Sequence, residues 1–499
     1  MPSPLAARVP PLSAHLQHVD GRAESGDGTP LTVTTPITGE TLVTAGTSGR
    51  DDVVRAVRVA RATFERGDWR RQSGRARSQV LRGVADGVLA AQETLVELIV
   101  LDNGKTVGEA TIDVHAAAAA FRWGAECAER GVIEERPPER GVQKQIAREP
   151  VGVVAAITPF NAPLPFAAVK LAPALAAGNS VVLKPSERAP LLPARLFDIL
   201  TNAGVPPGVV GLLQGCSDVA RHLAEHPDVN LISLTGGSEA GQAVLRASAA
   251  TFARTLLELG GKSAQVVLAD ADLDVVVPAL AGGIFKNAGQ RCLSGSRIVI
   301  DRRVADEVEA RVSAIADRLV VGDPFDPATH VGAMIDDRAV ADAVAFVARA
   351  VVDGTPVVAG GQAVDALRPG SFFRPTVLTG ATRSSFAAQT ELFGPVATVI
   401  RVDGIDEAIA VANDSRYGLT GAVWTRDPEA GARVASSLRA GYVWVNTFSA
   451  IFGDMPFGGF KASGIGREAG VAGFEAYTEL KSILTDTTGG TTALRFGGV

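Results

Sequence analysis

Three side chains in this sequence have the types of a nucleophile, a general base and an oxyanion donor, although they lie far apart along the chain. Cys292 sits in KNAGQRCLSGS, a polar, glycine-flanked run in which the backbone can turn sharply and present a thiol to a cleft. A thiolate there would attack an electrophilic carbon and hold it covalently. Glu258, in LLELGGKS, ends an apolar run and precedes two glycines; burial at such a place raises a carboxyl towards neutrality and suits it to general base work. Asn161, in VAAITPFNAPLPF, directly follows a strand-like run and lies between Pro159 and Pro163, which exclude helix there. An amide held rigidly at that point can donate to a developing oxyanion. Taken singly, each has a plainer reading: a small buried hydrophobe, a solvated strand cap and a turn-forming Asn. Cys127, in an Ala-rich run, and Cys216, after VVGLLQG, keep that plainer reading of buried cysteine. No cysteine stands at metal-ligand spacing with another or with His, so no metal is expected.

Further segments bear on a phosphate or nucleotide. LTGGSEAGQ (234–242) is a Gly-rich turn from strand to helix that would aim backbone N–H groups at a phosphate. KPSE (184–187) ends another strand with an ammonium and a carboxylate, and ELFGPV (391–396) offers Glu391 beside the flat face of Phe393.

The elements that must position these groups fall into three textures. Helical spacing predicts a helix over Asp51–Gly67 with Asp51 as N-cap, a second over Arg75–Leu101 and a third, Ala-rich, from Asp113 to about Arg130. The charged, proline-containing stretch 131–150 then reads as a hairpin or excursion. From Val151 short apolar runs (VGVVAAI, NSVVLKP, VVGLLQG, NLISLTGG) alternate with helices, the pattern of a doubly wound parallel sheet. A second alternation runs through AQVVLAD, SRIVID, PVVAGG, VATVIRV, GAVWT and GYVWVN. The fold class is therefore α/β, with two doubly wound domains.

Composition narrows the class. With 499 residues, 46% hydrophobic, 20% charged and a net charge of −6, the chain reads as a globular enzyme-sized protein and disfavours a nucleic acid partner. Three scattered cysteines fit a reducing compartment, and neither a secretory leader nor a membrane span is legible, so a cytoplasmic address is expected.

In chain order TPFN, KPSE, LTGG, ELGGK, GQRC, ELFGPV and PFGGFKASGIGRE resemble the signature segments of the aldehyde dehydrogenase superfamily. The resemblance implies that Cys292 is the nucleophile, Glu258 the general base and Asn161 half of an oxyanion hole completed by the Cys292 N–H. It implies a nicotinamide cofactor held by Thr158, Pro159, Phe160, Lys184, Ser186 and Glu187, by Thr235, Gly236, Gly237 and Leu259, and by Glu391 and Phe393. Glu187 favours NAD over NADP, since a ribose-facing carboxylate repels a 2'-phosphate.

Substrate contacts are implied for Phe166, Val169, Arg291, Leu293, Ile451 and Phe457, with Phe448 and Phe452 nearby. They predict a roomy apolar tunnel, whereas Arg291, through the GQRC pattern, suggests a substrate that carries a carboxylate or is linked to coenzyme A. Phe160 stands where Trp is frequent and Gly237 where Ser is frequent, which removes two donors from the phosphate side. The implied organisation is an NAD-binding domain over 1–130 and 151–260, a catalytic domain over 261–462, and a small β extension, 131–150 with 478–499, that pairs subunits into a homodimer or homotetramer. Two alternatives stand beside hydrolytic aldehyde oxidation: a coenzyme A-acylating semialdehyde dehydrogenase, and an idle binding protein of the same fold.

Overall fold

The computed structural model describes residues 17–131 and 133–489; residues 490–499 of the expected pairing segment fall outside them. The runs β1 (Val153–Ile157), β2 (Ser180–Lys184), β3 (Val210–Leu212) and β4 (Leu231–Thr235) are buried at every residue, as strands covered by helices on both faces must be. With β5 (Arg254–Glu258) they form a parallel core in the order β5-β4-β1-β2-β3. The chain winds outward from β1 to β3 and then restarts on the other side at β4. The crevice between the carboxyl ends of β1 and β4 is thus the switch point where open α/β sheets bind ligands. Gly464–Ile465 closes the β5 edge in antiparallel sense, and Gln17–Val19 with Arg22–Glu24 closes the other.

A second parallel sheet follows: β6 (Ala264–Val267), β7 (Arg297–Asp301), β8 (Thr376–Ala381), β9 (Val396–Val402), β10 (Thr420–Trp424) and β11 (Tyr442–Val445), in the order β8-β9-β7-β6-β10-β11. The PVVAGG run joins it only as an antiparallel edge, Val357–Ala359 beside β8. The excursion is a hairpin, Ile133–Glu139 with Val142–Pro150, turned by Arg140 and Gly141 at positive φ. Thr478–Asp486 adds the third strand of that small sheet.

Three helix boundaries differ from the sequence reading. The first helix, Arg50–Arg66, is capped by Gly49 rather than Asp51; the carboxylate that does the capping is Asp52, which accepts from the Gly49 and Asp27 N–H groups. The expected single helix Arg75–Leu101 is two, Gly74–Ala90 and Gln92–Asn103, because the chain bends at Ala91 and sends Leu98–Asn103 into the core, buried at every residue. The Ala-rich helix starts earlier, at Val107, where Thr106 and Glu109 form a reciprocal capping box.

Candidate active site

The switch-point crevice opens into a cavity of about 1150 Å³. One wall comes from loops that follow parallel strands: Thr158–Asn161 after β1, Lys184–Arg188 after β2 and Thr235–Gly237 after β4. The facing wall brings Cys292, Glu391, Phe393 and Asp336 from the second half of the chain.

The first wall fits a dinucleotide. Gly237 caps the helix Ser238–Thr251, whose first-turn N–H groups face outward with the positive end of the helix. A Cβ on Gly237 would meet nothing within 4 Å, so the space in front of that terminus is open. The hydroxyls of Thr158 and Thr235 are buried without partners, the state of groups built to meet a polar ligand. Lys184, buried at the end of β2, pairs with half-buried Glu187 at 3.2 Å. The Ser186 hydroxyl accepts from the Arg188 N–H. Leu259 is buried in the wall, and Phe160 stands edge-on to Phe393 with ring centroids 5.8 Å apart.

The nucleophile loop is shaped by strained backbone. Asn287 and Ala288 hold left-handed conformations, and Gly289 lies so close to Gly394 that a Cβ there would sit 2.1 Å from its carbonyl. The Asn287 side-chain amide donates to the Asn161 and Gln290 carbonyls at 3.1 Å each, which ties the thiol's loop to the expected oxyanion residue. Cys292 is half-buried; burial, followed by the charges of Glu258 and Glu391, pushes its thiol up to about 12, while Arg291 opposes them.

Glu258, the last residue of β5, is 3% exposed and neither carboxylate oxygen has a partner. Burial first, then the like charge of Glu468, raises its carboxyl well above the ordinary range; Lys170 and Arg467 pull it back. Behind it lies a buried polar chain: Lys170 pairs with Glu468 and donates to the Ser233 hydroxyl, which also accepts from Tyr477. The two glycines after Glu258 let the second wall approach. A Cβ on Gly260 would lie 2.0 Å from Glu391 Oε2, and Glu391 Oε1 accepts from the Gly261 N–H at 2.9 Å.

Of the expected substrate residues, Phe166 lines the cavity, whereas Val169, Arg291, Leu293, Ile451 and Phe457 do not. Val169 is half-buried on the helix Pro163–Ala177 and Leu293 is buried, while Ile451 and Phe452 face solvent and Phe457 packs on Tyr442. Phe448 packs on Trp444. Arg291 donates from Nη2 to Ser449 at 3.0 Å, and its Nη1 is buried without a partner. The acids near it are engaged elsewhere: Asp113 with Lys105, and Glu109 with Thr106 and the Asn287 N–H. Cys127 is buried as expected; Cys216 is not, because it caps a helix at the surface next to Ser217 of the cavity wall. The sequence reading passed over Arg188, Gln290 and Asp336, all in the wall. Only Asp336 carried a local signal, as N-cap of the helix Asp337–Val352.

A cleft at the switch point of one parallel sheet, facing a thiol carried on the loop before a strand of a second, is the architecture of a nicotinamide-dependent oxidoreductase. Residues 23–483 match the model of the aldehyde dehydrogenase family. The betaine aldehyde dehydrogenase of Bacillus subtilis is 38% identical over 458 residues, 91% of this chain and 93% of that protein. The 2-hydroxymuconic semialdehyde dehydrogenase of a Pseudomonas strain is 38% identical over 90% of this chain and 94% of its own. The crystal structure of betaine aldehyde dehydrogenase from Staphylococcus aureus in complex with NAD+ superposes with a TM-score of 0.95 at 36% identity, covering 97% of each chain. The chain belongs to the aldehyde dehydrogenase family, whose members oxidise aldehydes with NAD(P).

Proposed function

We propose that the chain oxidises an aldehyde to its carboxylate by way of a thioester on Cys292, with Glu258 as the base and Asn161 as an oxyanion donor. The Cys292 thiol loses its proton to water and, as the thiolate, adds to the aldehyde carbon; the oxygen that becomes negative receives donors from the Asn161 amide and the Cys292 N–H. NAD(P), when bound, supplies the hydride acceptor for that carbon. The thioester left on Cys292 is attacked by a water that gives its proton to Glu258; the carboxylate departs and the thiol re-forms.

The observation that carries this reading is Glu258, a buried carboxylate with no hydrogen-bond partner whose charge is felt at the thiol. A route that resolves the thioester with coenzyme A needs no such base, and an idle fold has no reason to keep it there. Glu258→Gln should give a stoichiometric burst of NADH and then stall with acyl-enzyme visible by mass spectrometry. Full steady-state turnover in that variant, or release of an acyl-coenzyme A on adding the thiol, would overturn the assignment.

Glu187 beside the adenosine end of the cleft supports NAD over NADP, although its pairing with Lys184 lessens its negative charge. Although Arg291 does not line the cavity, its unpaired Nη1 beside the nucleophile supports an aldehyde that bears a carboxylate over a cationic one such as betaine aldehyde. The exposed Ile133, Leu480 and Leu484 of the three-stranded sheet support its pairing with a second copy in a homodimer or homotetramer. The remaining assignments are an NAD-binding unit over 1–130 and 151–260, a catalytic unit over 261–462 and a cytoplasmic address. None of the helices among the described residues is long and apolar enough to cross a membrane.

A further inference from the structure

Phe160 and Gly237 offer no indole N–H and no hydroxyl at their own positions on the phosphate side of the cleft, which leaves the small hydroxyls of Thr158 and Thr235 and no charged side chain at those two positions. The loop bearing Phe160 and the helix terminus at Gly237 follow the paired strands β1 and β4, and β2 flanks β1 on its other side. From the loop after β2, Arg188 reaches back over the Phe160 ring, its guanidinium carbon 4.4 Å from the ring centroid. That cation–π contact holds the guanidinium over the ring, and Arg188 lines the cavity.

The partner that Arg188 holds is Asp336 on the facing wall. Nε and Nη2 both bond the same oxygen, Oδ2, while Oδ1 accepts from the Ala339 N–H as a helix cap. This is not the two-oxygen fork that makes arginine–carboxylate pairs strong. With side chains 33% and 40% exposed, it is the kind of ion pair that contributes little. Lys184, the other cation after β2, is buried against Glu187 and less free to move.

We propose that Arg188 is a ligand for the cofactor's diphosphate, held over the Phe160 ring and resting on Asp336 until the dinucleotide displaces that carboxylate. The proposal rests on the cofactor reading of the cleft and assigns the missing donors to a residue outside the segments that resemble the family. Two phosphate oxygens offer Arg188 the fork geometry that Asp336 withholds. Asp336 then becomes a like charge near the diphosphate, so it should weaken binding rather than support it.

Titration of the purified full-length chain with NADH by fluorescence, and with ADP-ribose and adenosine by calorimetric competition, tests this without turnover. Arg188→Gln should weaken NADH and ADP-ribose about tenfold or more and leave adenosine within about twofold; Arg188→Lys should fall between. The salt dependence of NADH binding should be shallower in Arg188→Gln. Asp336→Asn, which keeps a helix-capping oxygen, should bind NADH at least as tightly as the parent. If Arg188→Gln binds ADP-ribose like the parent, or if both variants weaken NADH alike, the pair is only a structural latch and the proposal fails. A parent chain that binds neither NADH nor ADP-ribose would instead overturn the cofactor reading itself.

Discussion

The two walls of the cleft are built on opposite rules. On the first sheet the site groups stand at or just after the carboxyl ends of parallel strands: Thr158–Asn161 after β1, Lys184–Arg188 after β2, Thr235–Gly237 at β4 and Glu258 at β5. On the second sheet they come before the strands: Cys292 precedes β7 and Glu391 precedes β9. The first wall therefore uses the general ligand-binding edge of an α/β sheet, with its helix N-terminus. The second uses the opposite edge and must shape it with special backbone, as at Asn287, Ala288 and Gly289. Binding needs only a generic edge; chemistry needs a thiol placed where no generic rule would put one.

The sharpest way to break this division of labour is at the thiol. Cys292→Ala should lower aldehyde turnover by at least about 10³-fold, while the NADH dissociation constant, read by fluorescence, stays within about twofold. A large loss of NADH affinity would show that the second wall also holds the cofactor through this loop.

Specificity should follow the nucleophile loop as well. Arg291→Leu should reduce the ratio of kcat/KM for a carboxylate-bearing aldehyde to that for its uncharged isostere by about tenfold. An unchanged ratio would leave Arg291 as a loop-positioning residue bound to Ser449. A wild-type ratio near one would end the case for an acidic substrate.

The smallest effect concerns the first wall's own contribution to chemistry. Glu258 works deprotonated, so thioester hydrolysis should rise with pH through a limb above the ordinary carboxylate range. Glu468→Gln removes a like charge and leaves Lys170, which lowers the Glu258 pKa, so the limb should move to lower pH. Pre-steady-state deacylation rates across pH would show it, and a limb that stays put would disconnect the Lys170–Glu468 pair from the base.

The difference between the walls also explains what was legible in the sequence. Alternating apolar runs predicted both sheets, and strand-end residues such as Gly236 and Lys184 could be proposed as cleft residues because the strands themselves were visible. Glu258 and Cys292 needed the order of seven motifs, since neither residue type nor spacing alone separated Cys292 from Cys127. The contact between Arg188 and Asp336 was not legible: a pair 148 positions apart leaves no periodic trace, and the N-cap signal of Asp336 says nothing of a partner. The bend at Ala91 was missed because an apolar pattern continues through it, and the start at Val107 was marked only by the Thr106–Glu109 box. The acidic and apolar readings of the substrate entrance also depend on which side chains face inward, which periodicity in a loop such as 447–457 does not report.

The edge strand beside Glu258 has a consequence for synthesis. Ser463 donates its hydroxyl to the Gly260 carbonyl across 203 residues, Gly464 pairs with Glu258, and Glu468 lies against Lys170. As the chain leaves the ribosome, β1 to β5 emerge long before these partners exist. The first wall of the cleft can therefore form while translation continues, whereas the buried surroundings that tune the base wait for Ser463 to Glu468, so catalytic competence trails that wall by the 203 residues that separate Gly260 from Ser463.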